Sequence, residues 1–228
     1  MKAHHPLPAA AIFDMDGVLV DSNPFHLQKW VDLLTEHGIA FNHAELPRLI
    51  LGSRNDTALR HFFGPNITAG ESHRLSEELE ARFRKAFKPH ARPLPGLEAL
   101  IEECHTANLP IALASSAMMK NIEFVVDALD FRRFFAYLAS GDHVTHPKPD
   151  PEIYLKAADL LGIPPRDCIA FEDSFVGVAA ACNAGMKCVG IASTFPIDEL
   201  RAQTKAALVV ASFEDLTLAR LRKLFDSN

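Results

Sequence analysis

The spacing of apolar residues changes twice along this chain. Ala9–Phe13 (AAAIF) is a short continuous apolar run that ends in acidic residues and a glycine. Such a run reads as a strand buried on both faces and opening into a loop. From Pro24 to Lys88 the apolar positions follow a helical period, in Phe25–Glu36, Ala44–Leu51, Asp56–Phe63 and Glu71–Phe87, with no strand pattern between them. Lys88–Gly96 (KPHARPLPG) carries three prolines and a glycine and reads as a linker.

Beyond Gly96 the two periods alternate. Helices are expected at Leu97–Ala107, Asn121–Leu129, Pro151–Leu161, Val176–Ala184, Ile197–Gln203 and Leu216–Phe225. Strands are expected at Pro110–Ala114, Phe135–Ala139, Cys168–Phe171, Lys187–Ile191 and Ala207–Val210. This alternation calls for right-handed crossovers and a parallel sheet with helices on both faces. The helical stretch after the first strand runs for about 65 residues, too long for a loop inside a compact domain. The expected architecture is therefore α/β: a core of residues 1–22 and 93–228 with an all-helical cap domain, 23–92, inserted after the first strand.

Composition narrows the function. The 228 residues are 48% hydrophobic, enough to bury a core, and 23 Lys and Arg against 29 Asp and Glu leave a net charge of -6. An acidic chain lacks the basic face that a nucleic-acid backbone requires, yet a small phosphorylated ligand needs only a few local cations or amides. Cys104, Cys168, Cys182 and Cys188 show no metal-ligand spacing and read as buried thiols of a reducing compartment. Met1–Pro8 has no apolar run of signal-peptide length, and no segment approaches the roughly 20 apolar residues of a spanning helix. A cytoplasmic monomer with no membrane partner is expected. His4 and His5 are too few for a metal site and belong to an expected disordered end.

In an open parallel sheet ligands sit beyond the carboxyl ends of the strands. Those ends carry Asp14-Met15-Asp16-Gly17-Val18, then Ser115-Ser116, then Pro147-Lys148-Pro149-Asp150, then Glu172-Asp173-Ser174. Any one of these alone is an ordinary turn or surface pair. Together, at successive strand ends, they make a convergent polar site. Asp14 and Asp16, two apart on an extended segment, face the same way and need a cation or a shared proton between them. With Glu172 and Asp173 they form a hard oxygen set suited to Mg2+. A carboxylate can attack phosphorus, provided a metal and a positive clamp offset its charge. Lys148 supplies that clamp, Ser115 a hydrogen bond to a phosphoryl oxygen, and Gly17 a sharp turn with amide hydrogens for the transferring group.

These motifs resemble the haloacid dehalogenase superfamily of phosphatases and phosphomutases. The resemblance rests on Asp14-Met15-Asp16-Gly17-Val18-Leu19-Val20-Asp21-Ser22, Ala114-Ser115-Ser116, Lys148-Pro149-Asp150-Pro151, Phe171-Glu172-Asp173-Ser174, Gly177 and Ala184-Gly185-Met186. It covers nearly the whole chain and is strongest for the β-phosphoglucomutase and sugar-phosphatase branch. It implies a Rossmann-like core, Asp14 as nucleophile, Asp16 as general acid and base, and Ser115 and Lys148 holding the phosphoryl group. It further implies Mg2+ held by Asp14, the backbone carbonyl of Asp16 and Asp173, with Glu172 assisting. An acid at Asp16 disfavours dehalogenation, since relatives that displace halide lack it.

At the helix entry to the insert, Ser22, His26 and Trp30 match the same branch, and i to i+4 spacing puts His26 and Trp30 on one face. Ser53-Arg54-Asn55-Asp56 resembles a cap loop whose arginine contacts phosphate, as a guanidinium does well. Gly17, Ser116, Arg54, His26, Trp30 and Ser53 are therefore the expected substrate contacts. Trp30 reads equally well as a core aromatic of the insert, and His26 as a polar residue at the hinge. One departure concerns a cap lysine that the mutases carry. This chain has Leu79 at that place, with Arg82, Arg84 and Lys85 nearby. Hydrolysis of a small phosphorylated metabolite such as a sugar phosphate is therefore expected ahead of a β-phosphoglucomutase-type isomerisation. A non-catalytic phospho-ligand-binding or interaction module is the alternative of another class.

Overall fold

Strand β1 (Ala10–Phe13) is buried along its whole length because helices cover both of its faces. The computed structural model describes residues 8–226; His4 and His5 lie outside them. After β1 come four helices in succession, α1 (Asn23–Glu36), α2 (Leu46–Ile50), α3 (Asn55–Phe63) and α4 (Ala69–Phe87). Elements then alternate: α5 (Leu97–Thr106), β2 (Ile111–Ala114), α6 (Met119–Ala128), β3 (Phe135–Ala139), α7 (Glu152–Leu161), β4 (Cys168–Glu172), α8 (Phe175–Asn183), β5 (Lys187–Ile191), α9 (Ile197–Gln203), β6 (Leu208–Val210) and α10 (Leu218–Lys223). The strands form one six-stranded sheet in the order β3-β2-β1-β4-β5-β6, and every pairing is parallel. This is the expected α/β architecture. β1 lies between β2 and β4, where the strand order reverses.

The strand residues alternate between two cores, as the pleat demands. Ala11, Phe13, Leu113, Ile169 and Phe171 face a core rich in large side chains, shared with residues of α5, α6 and α10. There Phe13 and Phe171 stack with ring centroids 4.4 Å apart. Ala10, Ile12, Ala112, Ala114 and Ala170 face the other side. The four alanines among them let α7 and α8 approach closely and leave room for the buried ring of Tyr154. Helices α1 to α4 pack around a separate apolar cluster that includes Trp30, Leu33, Leu59, Leu75 and Leu79. At the base of this cluster the two connecting segments meet in a bridge between Val20 and Pro93.

Element ends differ from expectation where capping decides them. Helix α4 starts at Ala69 rather than Glu71 because the Thr68 hydroxyl accepts from the Glu71 amide. Helix α10 starts at Leu218 rather than Leu216, with Thr217 as its cap. Helix α2 is shorter than expected: Asn42 accepts from the amides of Ala44, Glu45 and Leu46 and holds that stretch as a turn. Among the described residues no helix is long and apolar enough to cross a membrane.

Candidate active site

The ends of β1 and β4 meet at the reversal of strand order, so Asp14 lies beside Glu172 and Asp173. The Asp14 amide donates to the Phe171 carbonyl at 3.0 Å, which ties the two ends together. Carboxylate oxygens of Asp14, Glu172 and Asp173 all lie within 4.8 Å of one another, and all three residues are buried. Lys148 reaches this cluster from the loop before α7: its Nζ lies 3.0 Å from Asp14 Oδ1, 2.6 Å from Glu172 Oε1 and 3.3 Å from the Ala114 carbonyl. Tyr154 donates its hydroxyl to Glu172 Oε1 at 2.7 Å. Asn23 and Thr194 both donate to Asp173 Oδ2.

Three buried carboxylates share one ammonium here, and the titration shifts follow. Burial pushes the Asp14 carboxyl up to about 8, against the pull of Lys148 and with Glu172 and Asp16 adding to the rise. Burial, then Glu172 and Asp14, push Asp173 well above the usual carboxylate range. For Lys148 burial opposes the charge, but Asp14 and Glu172 outweigh it and lift the amine above the ordinary lysine range. The cluster is thus short of positive charge, and its donors are hard oxygens. Both features fit a divalent cation such as Mg2+. Gly17 completes the cradle. Its φ is +73°, and a Cβ there would collide with Asp173 Oδ2.

Asp16 faces the insert. Its Oδ1 accepts from Ser22 Oγ at 2.6 Å and lies 2.9 Å from His26 Nε2. Burial alone would raise this carboxyl, but His26, Ser22 and Lys29 outweigh it and hold it below the usual range. The His26 ring stacks on Phe83 at 4.0 Å between centroids.

Above these groups opens a cavity of about 310 Å³ between the sheet edge and α1 to α4. Asp14, Asp16, His26, Trp30, Ser53, Arg54, Ser115 and Ser116 all line it. Lys148, Glu172 and Asp173 lie against Asp14 rather than in the lining. Ser116 Oγ donates to the Gly52 carbonyl at 3.0 Å, so this hydroxyl joins the sheet edge to the insert. Ser115 is buried, and its Oγ accepts from the Ala117 amide. Arg54 Nη1 donates to the Val144 carbonyl at 3.2 Å, and the same guanidinium pairs with Asp56. Trp30 is buried in the insert's apolar cluster and also lines the cavity, and its Nε1 has no partner among the described residues.

Some expectations need correction. The Gly17 amide donates to the Val20 carbonyl at 2.8 Å, so it is not turned toward a transferring group. What position 17 requires is the absence of a side chain. The Asp16 carboxylate is not part of the three-carboxylate cluster, being taken up by Ser22 and His26. Arg82 pairs with Glu36 and Glu78, and Arg84 with Asn121, so neither stands in for a cationic residue at Leu79. Leu79 itself is buried in the insert's core. The cation near Asp16 is Lys29, which the sequence did not mark; its Nζ lies 2.7 Å from Glu80 Oε1. Asn23, Tyr154, Thr194, Glu80 and Asn121 were also missed. Of these only Asn23 lies next to a recognisable motif. A second group of ligand-type atoms, from His146, Asp150 and Glu152, is largely exposed, and the Glu152 carboxylate already accepts from the Thr145 and His146 amides.

The family model for haloacid dehalogenase-like hydrolases matches residues 8–185. The chain is 32% identical over 219 residues to the chloroplastic 5-amino-6-(5-phospho-D-ribitylamino)uracil phosphatase of Arabidopsis thaliana; the match covers 96% of this chain and spans 58% of that protein's length. It is 31% identical over 210 residues to hexitol phosphatase B of Escherichia coli, covering 91% of this chain and 92% of that one. Among solved structures, β-phosphoglucomutase from Clostridium difficile superposes with a TM-score of 0.84 at 28% identity, over 96% of this chain and 97% of that one.

Proposed function

The chain belongs to the haloacid dehalogenase-like hydrolases, and we propose that it is a Mg2+-dependent phosphatase that acts on a small phosphorylated sugar or polyol through an aspartyl-phosphate on Asp14. One observation carries this reading. Asp14 sits between a buried lysine and two further buried carboxylates and opens onto a cavity that the Asp16–His26 pair also lines.

An oxygen of Asp14 attacks phosphorus, and the bond to the ester oxygen breaks. Asp16 gives that oxygen its proton, and the carboxylate left behind is held by Ser22 and by His26 at 2.9 Å. Water then attacks phosphorus, Asp16 takes up the water's proton, and the bond to Asp14 breaks to release phosphate. Lys148 and the Ser115 hydroxyl stabilise charge on the phosphoryl oxygens. Asp14, Asp173 and the backbone carbonyl of Asp16 would hold Mg2+, which when bound offsets the charge between the carboxylates and the phosphoryl group. Glu172 is held by Lys148 and Tyr154 and orients the lysine.

The insert, residues 23–92, selects the substrate. Its face of the cavity offers Ser53 and the Arg54 guanidinium, which suit a hydroxylated leaving group. Hydrolysis is favoured over isomerisation because position 79 is an apolar core residue and Lys29 is committed to Glu80. The four unpaired cysteines accord with a cytoplasmic enzyme.

The test is a panel of hexitol, hexose and pentose phosphates, with phosphate release and isomerised product both followed. Phosphate release that needs Mg2+ and is lost in Asp14→Asn supports the reading. Isomerised product without net phosphate release replaces it with a mutase.

A further inference from the structure

Glu80 lies on α4, lines the cavity, and is 5% exposed. Its carboxylate is a meeting point of four helices. Oε1 accepts from Lys29 Nζ on α1 and from Asn55 Nδ2 on α3. Oε2 accepts from Asn121 Nδ2 on α6. Lys29, Asn55 and Glu80 belong to the insert, whereas Asn121 belongs to the sheet-bearing part of the chain. Asn121 is fully buried, and its Oδ1 accepts from Arg84, one turn along α4 from Glu80. One amide thus gives a hydrogen bond to the insert and takes another from it. The other side-chain contacts between the two parts lie at the site itself, Asn23 with Asp173 and His26 with Asp16, or are exposed, such as Arg48 with Glu199.

Two features link this joint to the site. Asn121 lies in the first turn of α6, which follows directly on the Ser115–Met118 loop. Lys29 and His26 are three residues apart on α1, and both lie against the Phe83 ring, at 5.3 Å and 4.0 Å from its centroid. A shift of Glu80 relative to Asn121 would move α4 and α1 together, and with them His26 over Asp16.

We propose that Asn121 is a positioning residue that seats the helical insert over the cavity, by donating to Glu80 and accepting from Arg84. It rests on the phosphatase reading for its kinetic consequence but not for its structural one. The amide is specific to the task. An aspartate at this position would keep the Arg84 contact but set a carboxylate against the Glu80 carboxylate, which repels. Neither Asn121 nor Arg84 lines the cavity, so neither touches substrate.

The test compares Asn121→Ala, Asn121→Asp and Arg84→Ala with the unmodified protein. Hydrolysis of sorbitol 6-phosphate, which must be gripped by the insert, is set against acetyl phosphate, which is too small to need it. Amide hydrogen exchange in α4 is followed in parallel, without substrate. Asn121→Ala is expected to lose about tenfold in kcat/KM on sorbitol 6-phosphate, mostly through KM, with acetyl phosphate changed less than about threefold. Asn121→Asp should lose more than Asn121→Ala despite its near-identical shape, and α4 should exchange faster in both. Arg84→Ala, at a half-buried position that removes no core, should show the same pattern more weakly and serves if the Asn121 variants fail to fold. Equal losses on the two substrates, a benign Asn121→Asp, or unchanged exchange in α4 would overturn the proposal. If the unmodified protein turns over neither substrate, the phosphatase reading fails, while exchange in α4 still decides the role of Asn121.

Discussion

His26 Nε2 lies 2.9 Å from Asp16 Oδ1, and these two residues come from opposite sides of the cavity mouth. The histidine is fixed by stacking on Phe83 and the aspartate by Ser22. The histidine therefore reaches Asp16 only while the insert sits over the sheet edge.

That arrangement predicts how Asp16→Asn behaves. A poor leaving group needs a proton in the transition state, and general acid catalysis contributes ~10²–10⁴-fold. Turnover of an alkyl phosphate should drop by that order, while p-nitrophenyl phosphate, whose leaving oxygen needs little protonation, drops far less. His26→Ala should fall in the same direction with a smaller loss. Similar losses on both esters would remove Asp16 from the role of acid.

Asp14 should make the metal-free protein less stable as pH rises. Its folded carboxyl is pushed up to about 8 from an ordinary value of 3.8, so the unfolded chain releases this proton first. The stability is fully present below about pH 4 and declines as pH rises through about 8. With a chelator present, the melting temperature should fall from about pH 4 to about pH 8, and Asp14→Asn should flatten the slope while abolishing turnover. Mg2+ added at about 100 times its Kd should restore ~2.7 kcal/mol. A slope unchanged by Asp14→Asn would contradict this account.

Gly17→Ala should cost ~1–2 kcal/mol from its left-handed backbone alone. The added Cβ would also displace the Asp173 carboxylate, whose Oδ2 occupies the space it would need. The Mg2+ concentration for half-maximal activity should rise markedly, and a titration of activity against Mg2+ reads it directly. A variant with native Mg2+ dependence would separate Gly17 from the metal cradle.

Lys29→Met should be among the most damaging changes in the insert. Lys29 and Glu80 side chains are 3% and 7% exposed, and removing one partner of a buried pair costs ~3–5 kcal/mol because the other charge is left behind. Thermal melting should show the loss. A shift of only a degree or so would mean that Asn55 and Asn121 alone satisfy Glu80.

Local pattern made much of this protein legible. The strands were found because two-sided burial leaves continuous apolar runs such as Ala9–Phe13 and Cys168–Phe171, and the long helices because their apolar stripes recur at helical spacing. The starts of α4 and α10 differ from the apolar period by two residues because the side-chain caps Thr68 and Thr217 set them. Asp14, Ser115 and Glu172 could be grouped without coordinates, since parallel strands bring all their carboxyl ends to one edge.

The sequence by itself therefore determined the sheet, the helical stretch between β1 and β2, and the acidic, hydroxyl and lysine groups that gather at the strand ends. The tertiary structure decided what lies across from them. Lys29 and Glu80 are 51 residues apart, and Glu80 and Asn121 41 apart, and each looks like an ordinary charged or polar position on its own helix. Whether such residues meet depends on the rotation of each helix about its axis and on how the insert sits over the sheet. A helical period fixes which residues share a face, but not which face of another helix that one will meet. The same holds for Tyr154, which reaches Glu172 because alanines opposite leave room for its ring, and for the Gly17 amide, which the turn gives to Val20. Those outcomes belong to packing between distant segments, and no local pattern records them.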